Sequence, residues 1–235
     1  STFDPNTVYA IVLQEVQSYY GIEPFEKLIK STDHGQTWFT VLEFNFPYYN
    51  SNVVAIGMEG DQLIALVNEW DPSSGDPNVY TIYSYDGGQN WDYYNSNLET
   101  PYARSFIRIN EQWYCGTWGD GLYRVTGGDW EQIGEGLPEN TYIARQMLFN
   151  PLPDNAFYVP TWGAGVYISY DFGETFEPMN DGLTNMGVIS IGSGVTDEGL
   201  VTMVGTYGGN FKIVQTSEPE ISIHPEMLDF GVVYN

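Results

Sequence analysis

One eight-residue phrase, written three times along the chain, restricts the fold more than any other feature: Ser31–Trp38 (STDHGQTW), Ser84–Trp91 (SYDGGQNW) and Ser169–Phe176 (SYDFGETF). The shared pattern is S-x-D-x-G-x-[TN]-[WF]. Self-similarity at a long interval marks a repeat architecture, in which one supersecondary unit recurs along the chain. Asp33 and Asp86 lie 53 residues apart and Asp171 follows 85 residues later. The second interval is about two repeats of forty-odd residues, so a further copy is expected between them. A shortened one stands at Thr126–Trp130 (TGGDW).

The residue types in the phrase suit a hairpin turn. Each copy follows a stretch of alternating β-branched and aromatic residues, such as Tyr80–Tyr83 and Gly165–Ile168, and leads into another, such as Phe39–Leu42. Asp33, Asp86 and Asp171 can each accept hydrogen bonds from the backbone of their own turn. Gly35, Gly88 and Gly173 supply the positive φ that the reversal requires. Trp38, Trp91 and Phe176 close each hairpin with apolar area. These residues read as structural.

The phrase and its spacing resemble the Asp-box, or BNR, repeat of sialidases, the sortilin luminal domain, family 74 xyloglucanases and photosystem assembly factors. The resemblance implies an all-β fold, a β-propeller of four-stranded blades with Asp-box hairpins. A second phrase agrees with it: Gly116–Tyr123 (GTWGDGLY) and Pro160–Tyr167 (PTWGAGVY), echoed by Gly205–Phe211 (GTYGGNF). In each, a strand ends at threonine, turns through glycines and re-enters at an apolar–aromatic pair, which adds two strands ahead of each Asp box. Blades are then expected at 1–46, 51–98, 103–140 and 143–185, with a fifth from Val188 that stops after Phe211–Gln215 without an Asp box. Asp4–Tyr9 reads as the lead into a second strand, leaving only a stub for the first. The missing fourth strand of the last blade is expected from sequence upstream of Ser1. About five blades are present, either as a ring with an incomplete seam or as part of a larger ring.

Residues 1–216 form the propeller segment in this reading. Residues 217–235 read as a linker and the first strand of a truncated Ig-like domain, because Glu220–Val233 resembles the start of the Ig-like modules that follow catalytic or adhesive domains in bacterial surface proteins. An extracellular or cell-surface location is expected on that ground.

Composition narrows the function. With 31 acidic residues against 7 Lys plus Arg, the net charge of −24 opposes binding to nucleic acid and to anionic membranes, both of which need fields of basic side chains. No stretch reaches the ~20 apolar residues of a membrane helix. The acidity reads as solubility outside the cell or as calcium binding, although no EF-hand-like run is present. His34 and His224 are far apart, and no metal site or cofactor is expected. Cys115, a single cysteine in strand context, reads as a small buried hydrophobe. The 19 Tyr, 12 Phe and 7 Trp, with 26 Gly and 13 Pro, suit short strands and tight turns.

In Asp-box propellers the boxes join the outer strands on the face opposite the functional one. If this chain follows them, the loops between second and third strands carry function. Read in register, those loops hold Trp118, Trp162 and Tyr207, and two longer loops, Gln14–Glu26 and Asn68–Asn78, hold Tyr19, Tyr20 and Trp70. Such a series fits a platform for sugar rings or an extended ligand; the repeat positions Trp118, Trp162 and Tyr207 favour packing between neighbouring blades instead, while Tyr19, Tyr20 and Trp70, in longer loops, favour exposure and binding. A sialidase site would need an arginine triad and an F-R-I-P phrase. This chain has only Arg104, Arg108, Arg124 and Arg145, and its nearest phrase, Phe106–Asn110 (FIRIN), stands in the wrong blade. Glu69, Asp71 and Asp120 are weak candidates for the paired carboxyl groups of another glycoside hydrolase. The expectation is a recognition or structural module for a polysaccharide or protein, with a larger assembly as a further partner reading and a xyloglucanase-type hydrolase fragment as the alternative.

Overall fold

A computed structural model describes residues 6–18, 21–43, 52–70, 77–94, 102–126, 129–144, 146–151, 154–196, 199–215 and 222–224. Every sheet is antiparallel where its register is described, and the sheets follow one another along the chain. The first holds β1 (Val8–Ser18), β2 (Gly21–Ser31) and β3 (Phe39–Glu43) in the order β1-β2-β3. The second holds β4 (Asn52–Glu59), β5 (Gln62–Trp70), β6 (Pro77–Ser84) and β7 (Asp92–Tyr94) in chain order. The third runs β8 (Ala103–Ile109), β9 (Gln112–Thr117), β10 (Leu122–Thr126) and β11 (Asp129–Ile133). The fourth comprises β12 (Leu148–Asn150), β13 (Ala156–Thr161), β14 (Gly165–Ser169) and β15 (Glu177–Pro178). The fifth comprises β16 (Val188–Thr196), β17 (Gly199–Thr206), β18 (Gly209–Gln215) and β19 (Ser222–His224). The second to fifth are the four-stranded meanders of propeller blades, and the first shows three described strands. Two compact units divide the chain, residues 1–108 with 126–130 and residues 109–125 with 131–235.

The S-x-D-x-G phrases stand in the β2–β3, β6–β7 and β14–β15 turns, and the shortened copy separates β10 from β11. All three full copies are wired alike. Ser84 Oγ donates to Asp86 Oδ1 at 2.8 Å and accepts from Gly88 N at 2.9 Å, while Asp86 Oδ1 accepts from Asn90 N and Oδ2 from Asn90 Nδ2 at 2.6 Å. Ser31 with Asp33, and Ser169 with Asp171, repeat the pattern with Thr37 and Thr175 as donors.

Two of the phrases also hook onto the blade before them. In the first unit Trp91 Nε1 donates to Val41 O of the preceding blade at 3.2 Å, while Gly87 N donates to Asp61 O of its own blade at 2.8 Å. In the second unit Phe176 N donates to Glu135 O at 2.7 Å, and Tyr114 Oη donates to Phe172 O at 2.9 Å.

Three details depart from the sequence reading. The segment expected as a loop at Gln14–Glu26 is strand wherever it is described, with β1 and β2 paired out to Ser18↔Gly21, and the described ends of Asn68–Asn78 continue β5 and β6 out to Trp70↔Pro77. Pro24 is tolerated inside β2 because β3 pairs β2 only from Lys27 onward, so the missing N–H breaks no bond on that edge. The fourth position of the fifth blade is filled by the chain's own β19, in the register Ile213↔Ile223, and not by an upstream strand. Residues 217–221 and 225–235, on which the Ig-like reading of the tail rests, lie outside the described residues.

The core of the second unit shows why the blades stack. β13 is buried along its whole length, since both of its faces meet neighbouring layers. Tyr158, Val166 and Ile168 of the fourth blade pack with Val188, Val204 and Phe211 of the fifth. Each such side chain contributes about 1.5–3 kcal/mol by leaving water. Cys115 is fully buried, and burial pushes its thiol well above the ordinary cysteine range, which keeps it inert as a nucleophile.

Candidate functional site

The turns after β9, β13 and β17 are built on one threonine each. Thr117 Oγ1 donates to Gly121 O at 2.7 Å and accepts from Asp120 N at 3.0 Å. Thr161 does the same with Gly165 O and Ala164 N, and Thr206 with Gly209 O and Gly208 N. A hydroxyl that bridges both arms of the reversal fixes the residue between them. That residue is Trp118, Trp162 or Tyr207.

The three rings touch in sequence. Trp118 and Trp162 have ring centroids 5.2 Å apart at an interplanar angle of 73°, and Trp162 and Tyr207 are 4.9 Å apart at 68°. Tyr142, from the connector between the third and fourth blades, meets Trp118 at 5.1 Å and 72°. These are edge-to-face pairs of the kind that the aromatic quadrupole favours. Packing leaves the rings open to water even so: Tyr142, Trp162 and Tyr207 are 43%, 45% and 62% exposed, and Trp118 is half-buried.

Backbone bonds hold the row in place. The Tyr142 connector is stitched on both sides, with Ile143 N donating to Thr117 O, Gly119 N to Thr141 O and Trp162 N to Tyr142 O. The next connector repeats this, with Gly163 N donating to Met186 O and Tyr207 N to Gly187 O. The four rings therefore sit on bridged backbone and not on free loops.

Beside the row lies a cleft of about 680 Å³. Gly119 and Asp120, next to Trp118, and Thr141, next to Tyr142, form its rim on that side. A Cβ at Gly119 would stand 3.5 Å from the Tyr142 ring, so row and cleft are continuous. Asp120, Glu131, Glu135, Glu139 and Glu174 line the cleft. Arg124 reaches Glu131 at 3.8 Å and forms a short hydrogen-bonded ion pair with Glu174.

The aspartates of the repeated phrases occupy the other end of their blades. In the fourth blade β14 separates the Trp162 turn from Ser169, a rise of roughly 13 Å. Hydrogen bonds from the Thr37 side chain and backbone hold the Asp33 carboxyl down at about 2. Those from the Asn90 backbone and side chain do the same for Asp86. Asp171 is lowered as well, since the hydrogen bonds from Thr175 and Ser169 outweigh a burial effect of opposite sign. Folding therefore favours the ionised form, and its contribution to stability is complete above the unfolded carboxyl value of about 4 and fades as pH falls toward 2. The urea midpoint is expected to drop across that window. Asp33→Asn combined with Asp86→Asn should flatten the drop, and parallel curves for the two proteins would show the linkage to be wrong.

Of the residues singled out by sequence, Trp118, Trp162 and Tyr207 come together and Asp120 lies on the cleft rim. Tyr19, Tyr20 and Asp71 lie outside the described residues, and for Glu69 and Trp70 only their backbone place in β5 is described. Sequence reasoning missed Tyr142. The available signal was an aromatic inside a short connector (Asn140–Ile143) between two recognisable blades.

No family model matches the chain, and no curated protein matches it in sequence. Solved structures do. YCF48 bound to a D1 peptide aligns over 92% of this chain and 72% of its own at 14% identity, with a TM-score of 0.53. The GH74 enzyme of Niastella koreensis aligns over 80% at 15% identity, with a TM-score of 0.52. PorZ, an essential bacterial surface component of the type-IX secretion system of Porphyromonas gingivalis, aligns over 84% at 11% identity, with a TM-score of 0.53. The chain spans 27% of the GH74 chain and 31% of the PorZ chain. At these identities the likeness carries the fold, and that fold is the β-propeller. Among the described residues no helix is long and apolar enough to cross a membrane.

Proposed function

We propose that this chain is a recognition module of the cell exterior that binds an extended ligand, polysaccharide or protein, across the row Tyr142–Trp118–Trp162–Tyr207. The observation that carries this reading is the exposure of three of the four rings at the same time as all four are held by bridged backbone. Rings that only filled the taper between blades would be covered. A ligand meeting a pre-formed aromatic surface spends little on ordering it. The acidic, Asp-box-like character of the chain and its likeness to the surface component PorZ support an exterior location, and the D1 peptide bound to YCF48 shows that one propeller of this fold takes a peptide.

Glycan arrays and peptide arrays are the test. Trp118→Ala and Trp162→Ala should each weaken binding by about 10–30-fold, the loss typical of a central aromatic anchor. Unchanged binding by both variants removes the reading. The hydrolase alternative predicts release of reducing ends from xyloglucan, abolished by Asp120→Asn.

A further inference from the structure

We infer that the ligand of the aromatic row is a cationic extended peptide, with an arginine or lysine side chain seated in the acidic cleft beside Trp118. This rests on the recognition reading above and specifies its ligand class. Three observations lead to it. The first is continuity: the rim of the cleft at Gly119, Asp120 and Thr141 is formed by the residues adjoining Trp118 and Tyr142, so one ligand reaches both. The second is charge. Five carboxylates line the cleft, and among the described residues no lysine or arginine does. Arg124, outside the lining, forms ion pairs with Glu131 and Glu174. With a chain charge of −24 around it, the potential at the cleft is negative, which repels acidic glycans and draws in cations.

The third observation is the geometry of the rings. Interplanar angles of 68–73° make the row a series of ridges and not a flat platform. A sugar chain stacks best on broad faces lying parallel to its rings. A ridged row with notches between rings suits narrower groups, namely aliphatic stems, proline rings and planar guanidinium groups. A guanidinium also lies against an aromatic face while donating hydrogen bonds to carboxylates, which is the combination offered where Trp118 meets the cleft. The carboxylates are distributed along the cleft, and among the described residues no three metal-ligating side chains converge on one point. Charge spread in this way matches a chain of cationic side chains better than a single ion.

The test uses the whole chain and three probes: a fluorescent peptide alternating arginine and proline, the same peptide with neutral citrulline for arginine, and a xyloglucan oligosaccharide. Proline keeps the peptide extended and lowers its ordering cost. The arginine peptide is expected to bind at least about tenfold more tightly than the citrulline peptide, with an affinity that falls as salt rises. Trp162→Ala and, as a bulk-preserving variant, Tyr207→Leu should weaken it, and Asp120→Asn with Glu139→Gln should reduce both the affinity and its salt dependence. Circular dichroism of each variant establishes that it is folded. Equal binding of the arginine and citrulline peptides, or tighter binding of the oligosaccharide that is lost in Trp162→Ala, overturns the cationic ligand and leaves the recognition row standing. Arginine-peptide binding unaffected by Trp162→Ala and Tyr207→Leu is bulk attraction to an acidic chain, and it overturns both, as does the failure of all three probes to bind.

Discussion

Gly136→Ala is expected to cost more than about 4 kcal/mol and to leave the second unit without a cooperative native state. Gly136 has a φ of +92°, and a methyl group there would lie 2.1 Å from the Phe176 carbonyl oxygen. The obstacle is backbone, so no rotamer change relieves it. The segment would have to retreat from Phe176, breaking the paired bonds of Glu135 N to Glu174 O and Phe176 N to Glu135 O that hook the third full phrase onto the blade before it. Gly163→Ala is the control. Its φ of +112° is equally unsuited to a side chain, but nothing stands within 4 Å of the new methyl, so only the conformational cost of about 1–2 kcal/mol remains. Urea unfolding followed by tryptophan fluorescence compares the two. Equal losses would mean that the approach of Gly136 to Phe176 is not as described.

Phe157→Ala should cost about 3–5 kcal/mol, the range for emptying a large aromatic site in a core. Phe157 is fully buried and packs edge-to-face against Tyr114 at 5.3 Å and Phe176 at 5.6 Å. Those partners belong to the third blade and to the repeated phrase of the fourth, so the cavity opens where blades are joined. The surroundings are β-sheet and a hydrogen-bonded turn, which collapse poorly into a void. The same denaturation assay reads the effect. A loss below about 1 kcal/mol would show that this junction does not carry the stability its burial implies.

How far the sequence spoke depended on whether information was local. The repeated phrase holds its own hydrogen-bonding partners within a few residues, Ser84 to Asp86 to Asn90, so residue types alone placed the turns between strands. Trp118, Trp162 and Tyr207 were legible as a series because each follows the threonine of a like turn, one residue shorter at Thr206. Their exposure was not legible, since it depends on how neighbouring connectors run. Tyr142 escaped for the same reason: its position is set by bonds to Thr117 and Trp162, in two different blades. The extended β1–β2 hairpin reads as a loop because Pro24 and the glutamates around it argue against a strand, and these single-residue signals are outweighed by the cross-strand pairing of Glu15 with Pro24 and Gln17 with Ile22. β19 was hidden by a similar choice, as Ser222–His224 carries no mark of which sheet it joins. Sequence periodicity names strands, and only the fold assigns their neighbours.

The way the Tyr142 and Met186 connectors are sewn into adjoining turns has a mechanical consequence. Each ring in the row belongs to a different segment of the meander, so a small shear between adjacent blades alters a ring-to-ring distance directly, without slack to absorb it. A molecule lying across the rings is then a splint over three successive blades, and the load that would slide them apart falls first on the edges of Trp118 and Trp162.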